Sequence, residues 1–226
     1  MFSLGRRLAF SFAALCIAAT TFVAPPAHAQ RVNVLIVGDS VASVLRWAPE
    51  SMKPLWGGNY NATLEVWGCQ KLLEKGCVGS AKLSALEQIV KHRKDDIDIV
   101  VIATGYNDTG PEYLRKAIRK INAEVKSQGA SLMWLTYREN GNVKIKNRAF
   151  NDVVKSESKT LRFTLLDWEL IARKNKHWFT GDRVHMNKFG GLQLARHIKM
   201  ALDLKMGFTQ PTTTTTPASV ATTVPS

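Results

Sequence analysis

Short apolar runs of strand length, separated by stretches with helical spacing, constrain this 226-residue chain more than any other feature. Val32 to Val37 and Ile97 to Ala103 are nearly continuous, β-branched-rich segments, and Thr63 to Trp67, Leu132 to Thr136 and Phe163 to Leu166 are shorter ones. Leu83 to His92 carries the i, i+3, i+4 pattern of a helix, and a helix from Val41 to Trp47 opens directly behind Ser40. Pro111 suits the first turn of a helix reaching about Gln128, where Gly129 ends it. Lys146 to Ser156 is helical, and Asn187 caps a last helix through about Leu204. A strand wetted on one face alternates polar and apolar residues, whereas continuous apolar strands are buried on both faces. The pattern therefore predicts an α/β fold with a mostly parallel sheet covered on both sides. Ser40, Gly68, Asn107, Tyr137 and Asp167 then fall just beyond strand ends, the edge where open sheets of this kind bind ligands.

The two ends of the chain differ from this core. Arg6 and Arg7, the apolar stretch Leu8 to Val23 and Ala27-His28-Ala29 have the order of an export signal, so residues 1–29 are expected to be removed. The competing reading is a retained anchor. The stretch is short for a span, and Pro25-Pro26 interrupts it, which leaves no membrane span after cleavage. From Thr209 the chain holds, apart from Gln210, only Thr, Pro, Ala, Val and Ser, including the run Thr212 to Thr216. Such a segment buries too little apolar surface to offset its ordering entropy, so 209–226 is predicted to be a disordered tail, a stalk or a frayed terminus. Residues 30–208 suit one domain.

Removing the signal leaves Cys69 and Cys77, and two close cysteines in an exported protein favour a disulfide. Closing that loop stabilises the fold by about 2.5 kcal/mol on the chain-entropy account. The formal charge of +13 falls by only two with the signal. A secreted or envelope-associated chain this basic favours an anionic cell-wall polymer as partner over nucleic acid, for which it carries no motif; a merely solvated basic surface is the alternative. No metal-ligand cluster and no glycine-rich phosphate loop is present, so neither metal nor cofactor is expected.

The chemistry concentrates in three places: Gly38-Asp39-Ser40, Gly105-Tyr106-Asn107-Asp108 and Asp182-Arg183-Val184-His185. A serine hydroxyl needs an adjacent base, and His185 with Asp182 three residues before it supplies base and orienting carboxylate from one loop. The backbone N–H groups of Ser40 and Gly68 and the side-chain amide of Asn107 are the candidate oxyanion donors. Gly57 and Gly58 lie earlier, but Gly68 follows a strand. Asp39 is expected to hold the turn by hydrogen bonds. Tyr137, Arg138 and Trp178 are candidates for lining a substrate cleft, or else for core.

These blocks resemble those of the SGNH hydrolases, also called GDSL-like esterases, over about Val34 to His197, with Val41 in place of the leucine of the GDSL name. The resemblance implies a flavodoxin-like three-layer α/β/α sandwich, Ser40 as nucleophile, His185 as base, Asp182 as its partner, and Gly68 and Asn107 in the oxyanion hole. Gly68-Cys69 with a second cysteine nearby also resembles exported SGNH domains associated with envelope acyltransferases. The expected activity is hydrolysis of an ester, an O-acyl or O-acetyl group on an envelope carbohydrate, through an acyl-serine intermediate. An O-acyltransferase using the same triad and a catalytically silent basic envelope-binding protein are the alternatives.

Overall fold

The structure, a computed structural model, describes residues 31–77 and 82–208. The expected signal segment 1–29 and tail 209–226 lie outside the described residues. Among the described residues six strands are formed: β1 (Val32–Gly38), β2 (Trp56–Gly57), β3 (Tyr60–Val66), β4 (Ile99–Ala103), β5 (Ser131–Leu135) and β6 (Thr164–Leu166). The α-helices are α1 (Val44–Trp47), α2 (Ala85–Lys91), α3 (Pro111–Ser127), α4 (Lys144–Leu161), α5 (Trp168–Ala172) and α6 (Lys188–Met206).

The sheet order is β2-β3-β1-β4-β5-β6. Every pairing is parallel except the short β2–β3 ribbon. Chain alternation on each strand decides which layer a residue enters. Val34 and Ile36 of β1, Ile99 and Val101 of β4, and Met133 of β5 point into one apolar layer with α1, α5 and α6. Leu35 and Val37, Val100 and Ile102, and Leu132 and Trp134 point into the other, under α2, α3 and α4. Both faces are therefore dry, which is why β4 reads as an unbroken apolar run and is buried at every position. Without β2, the order of the five parallel strands is that of a flavodoxin-like sheet, and the chain reverses its direction of winding at β1.

Several elements depart from the sequence expectation. The helix behind Ser40 begins only at Val44, because residues 39–43 form turns (Ala42 N–H to Asp39 O, Ser43 N–H to Ser40 O). Strand β3 starts earlier, at Tyr60. The ribbon strand β2, a 3-10 helix at Pro49–Leu55 and the five-residue α5 are additional, all too short to carry a periodic signal.

Candidate active site

Gly38 lies opposite Val66 of β3 on one side and Ala103 of β4 on the other. Ser40, Gly68 and Asn107 therefore leave three adjacent strands from one register level, at the switch point of the sheet. The loops are tied to one another. The buried Asp39 carboxylate accepts the N–H of Val41 at 3.0 Å through one oxygen. Its other oxygen accepts the N–H of Gly105 and of Tyr106, both at 3.0 Å, and the Thr104 hydroxyl at 3.3 Å. Burial pushes this carboxyl up, and the four donors oppose that by favouring the ionised form. The expected structural role of Asp39 thus takes the form of a clamp between the first and third loops.

The Asn107 amide donates to the Gln70 carbonyl at 3.1 Å, and the Thr104 hydroxyl donates to the same oxygen at 3.2 Å. This couples the β4 loop to the β3 loop, which the Cys69–Cys77 disulfide also closes. The N–H groups of Ser40 and Gly68 make no hydrogen bond among the described residues, so both are available to an incoming oxygen. Gly105 sits at φ +138°, and a Cβ there would lie 2.2 Å from the Tyr137 hydroxyl, so only glycine fits. From α4, the Lys146 ammonium donates to the Tyr106 carbonyl and braces the loop that carries Asn107.

Asp182 and His185 sit on a tight hairpin, closed by the Phe179–Met186 bridge and by Thr180 N–H to His185 O at 2.8 Å. One Asp182 oxygen accepts the N–H groups of Val184 and His185, both at 2.9 Å, and the Thr180 hydroxyl at 3.0 Å. The other oxygen meets His185 Nδ1 at 2.5 Å. Burial works against ionisation of Asp182, but the Val184 N–H, the His185 ring and the remaining donors outweigh it and hold the carboxyl well below its ordinary range. An ionised carboxylate only accepts, so Nδ1 carries the proton and Nε2 is left as the acceptor. His185 Nε2 lies 3.0 Å from Ser40 Oγ, across 145 residues of sequence. Ser40, His185 and Asp182 are thus joined in one hydrogen-bonded chain. The His185 and Asp182 side chains are 44% and 49% exposed, so water reaches them.

The three candidate cleft residues are placed differently. Tyr137 is buried and donates to the Thr104 carbonyl, Trp178 is buried and stacked on Trp168, and Arg138 is 1% exposed. Arg138 and Trp178 belong to the packing behind the site, the core alternative, while Tyr137 is buried and also lines a small apolar cavity with Val41 and Met186. The buried Arg138 guanidinium lies 3.8 Å over the Phe179 ring and its Nε donates to the Arg183 carbonyl at 2.8 Å, while Nη1 and Nη2 have no hydrogen-bond partner among the described residues. Arg138 thereby holds the hairpin from beneath. Sequence reasoning missed Thr180 and Lys146; the spacing Thr180-x-Asp182 was the available signal for the first. No group of three or more His, Cys, Asp or Glu side chains among the described residues is placed to hold a metal ion.

No family model matches the chain, and neither does any curated protein sequence. Solved structures do match. A lipase/acylhydrolase from Enterococcus faecalis superposes with a TM-score of 0.61 at 11% identity, covering 77% of this chain and 96% of that one. A member of the lipolytic G-D-S-L family from Veillonella parvula gives 0.56 at 14% identity, covering 77% and 97%. Axe2, an acetylxylan esterase from Geobacillus stearothermophilus, gives 0.56 at 12% identity, covering 76% and 94%. The strand order and these neighbours agree: the chain has the fold of the SGNH hydrolases.

Proposed function

We propose that the protein is an exported serine esterase that removes a small acyl group from an envelope carbohydrate. The observation that carries this reading is the hydrogen-bonded chain from Asp182 through His185 to Ser40. Ser40 Oγ attacks the ester carbonyl carbon and passes its proton to His185 Nε2. Asp182 keeps the ring in that tautomer and stabilises the imidazolium. The developing oxyanion takes the N–H groups of Ser40 and Gly68 and the Asn107 amide. On collapse the alcohol leaves with the proton from His185, and the acyl group stays on Ser40. A water then attacks the acyl carbon, with His185 again taking its proton, and the carboxylic acid departs from regenerated Ser40.

A cavity of about 20 Å³ supports a small acyl group. Its apolar lining includes Val41, Tyr106 and Met186, the sequence neighbours of Ser40, Asn107 and His185, and its size suits a methyl. The exposure of the His185–Asp182 pair favours water over a sugar hydroxyl as acceptor, because transfer requires water to be kept out. The acetylxylan esterase among the structural neighbours supports a carbohydrate ester. The signal-like N-terminus and the Cys69–Cys77 disulfide support an extracytoplasmic setting, and the +13 charge supports contact with an anionic wall polymer. Among the described residues, no helix is long and apolar enough to cross a membrane.

Hydrolysis of p-nitrophenyl acetate is the test. Ser40→Ala and His185→Ala are each expected to reduce kcat by on the order of 10⁴. Equal rates in wild type and Ser40→Ala would refute the esterase reading, and acylated product on an added sugar would favour transfer.

A further inference from the structure

We propose that a second cavity, between the end of β3 and α2, binds a sugar ring carrying a carboxylate. The cavity measures about 420 Å³ and is lined by Glu65, Trp67, Lys82, Leu83, Gln88 and Lys91. It opens where the sheet has no further strand, because β2 pairs only with Tyr60 and Asn61 at the far end of β3.

Three features make it a built site. Gln88 is 4% exposed, yet its side-chain oxygen has no hydrogen-bond partner among the described residues. Buried amide oxygens are nearly always paired, and a ring hydroxyl entering the cavity supplies the missing donor. Trp67 is a fixed platform: its indole N–H donates to Glu65 at 2.9 Å, and the Arg46 guanidinium lies 3.9 Å from its ring centre. Pyranose rings pack their C–H faces on such a surface. The charge balance favours an anion. Glu65 is already engaged by Lys91 at 2.7 Å, by His92 at 2.8 Å and by Trp67, which hold its carboxyl below its ordinary range against the opposing effect of burial. Lys82, at the rim, forms no ion pair among the described residues and is left for the carboxylate of the ligand.

The cavity adjoins the catalytic centre through the chain itself. Trp67 directly precedes Gly68, one candidate oxyanion donor, and its own N–H donates to the Gly38 carbonyl at 3.0 Å. A ring packed on Trp67 is thus one residue along the chain from the N–H proposed to receive the ester oxygen. That last placement rests on the proposed esterase activity; the binding does not.

The full-length protein, titrated calorimetrically with tetragalacturonate and with neutral cellotetraose, tests the proposal. The charged sugar is expected to bind at least tenfold more tightly and to weaken as salt rises. Gln88→Leu should weaken tetragalacturonate about tenfold. Lys82→Ala should weaken it about threefold, and this exposed position carries the test if the Gln88 variant melts early. Absence of binding, equal affinity for the two sugars, or wild-type affinity in both folded variants would overturn it. Hydrolysis of p-nitrophenyl acetate by the same wild-type preparation separates the two readings. Binding without hydrolysis keeps the cavity and removes the esterase, whereas hydrolysis without binding removes the cavity alone.

Discussion

The two halves of the proposed catalytic machinery are held in opposite ways. The Ser40 turn is fastened by a fully buried carboxylate, Asp39, whose partners Thr104, Gly105 and Tyr106 lie 65 to 67 residues away. The Asp182–His185 hairpin is half-exposed, and the Asp182 oxygens bond only within three residues. The proposed nucleophile thus inherits the rigidity of the sheet, while the proposed base is shaped by its own loop and meets water. The difference predicts that damage to one half shows as lost stability and damage to the other as lost rate. Arg138 is the exception that joins them, a buried residue supporting the exposed hairpin.

The largest effect tests the hairpin. In Asp182→Asn the remaining oxygen keeps the turn, but the amide donates to Nδ1, so Nε2 carries the proton and can no longer accept from Ser40. We expect kcat for p-nitrophenyl acetate to fall by on the order of 10⁴, with a smaller loss of stability than in Asp39→Ala. A large stability loss in this variant would break the comparison. Next comes Asp39→Ala, which strands the N–H groups of Val41, Gly105 and Tyr106 in the interior, while the Thr104 hydroxyl keeps the Gln70 carbonyl. It should cost about 4 kcal/mol in urea unfolding, and a loss no larger than that of a surface substitution would contradict the clamp.

The smallest effect separates the two halves by pH. Burial pushes the Asp108 carboxyl from 3.8 up to about 6 against the Leu72 N–H. Between those values the folded state binds more protons than the unfolded one, so stability from this group falls as pH rises from about 4 to 6, by about 3 kcal/mol. Asp182, held low, behaves oppositely: its contribution is present above about pH 4 and is lost as pH falls below that. Melting curves from pH 4 to 7 for wild type and Asp108→Asn check the sign; a variant that keeps the full decline would show that another group causes it.

Much of the frame was legible because its signals are local. The apolar runs of β1, β4 and β5 announce strands dry on both faces, and Pro111, Gly129 and Asn187 mark helix ends through their own backbone preferences. The chemistry of Ser40, Asn107, Asp182 and His185 could be named because each sits just past such an element or beside its partner. The short α5 and the Pro49–Leu55 turn of helix were invisible, since so few residues complete no period.

By itself the sequence determined five of the six strands found among the described residues, and which side chains were chemically able to act. Only the tertiary structure decided that His185 meets Ser40 across 145 residues, that Arg138 and Trp178 are buried in the packing, and that the Gln88 side-chain oxygen is buried without a partner among the described residues. The physical reason is the range of the interactions. Periodicity and capping act over a few residues, whereas burial of a charge or an amide depends on what distant segment packs over it.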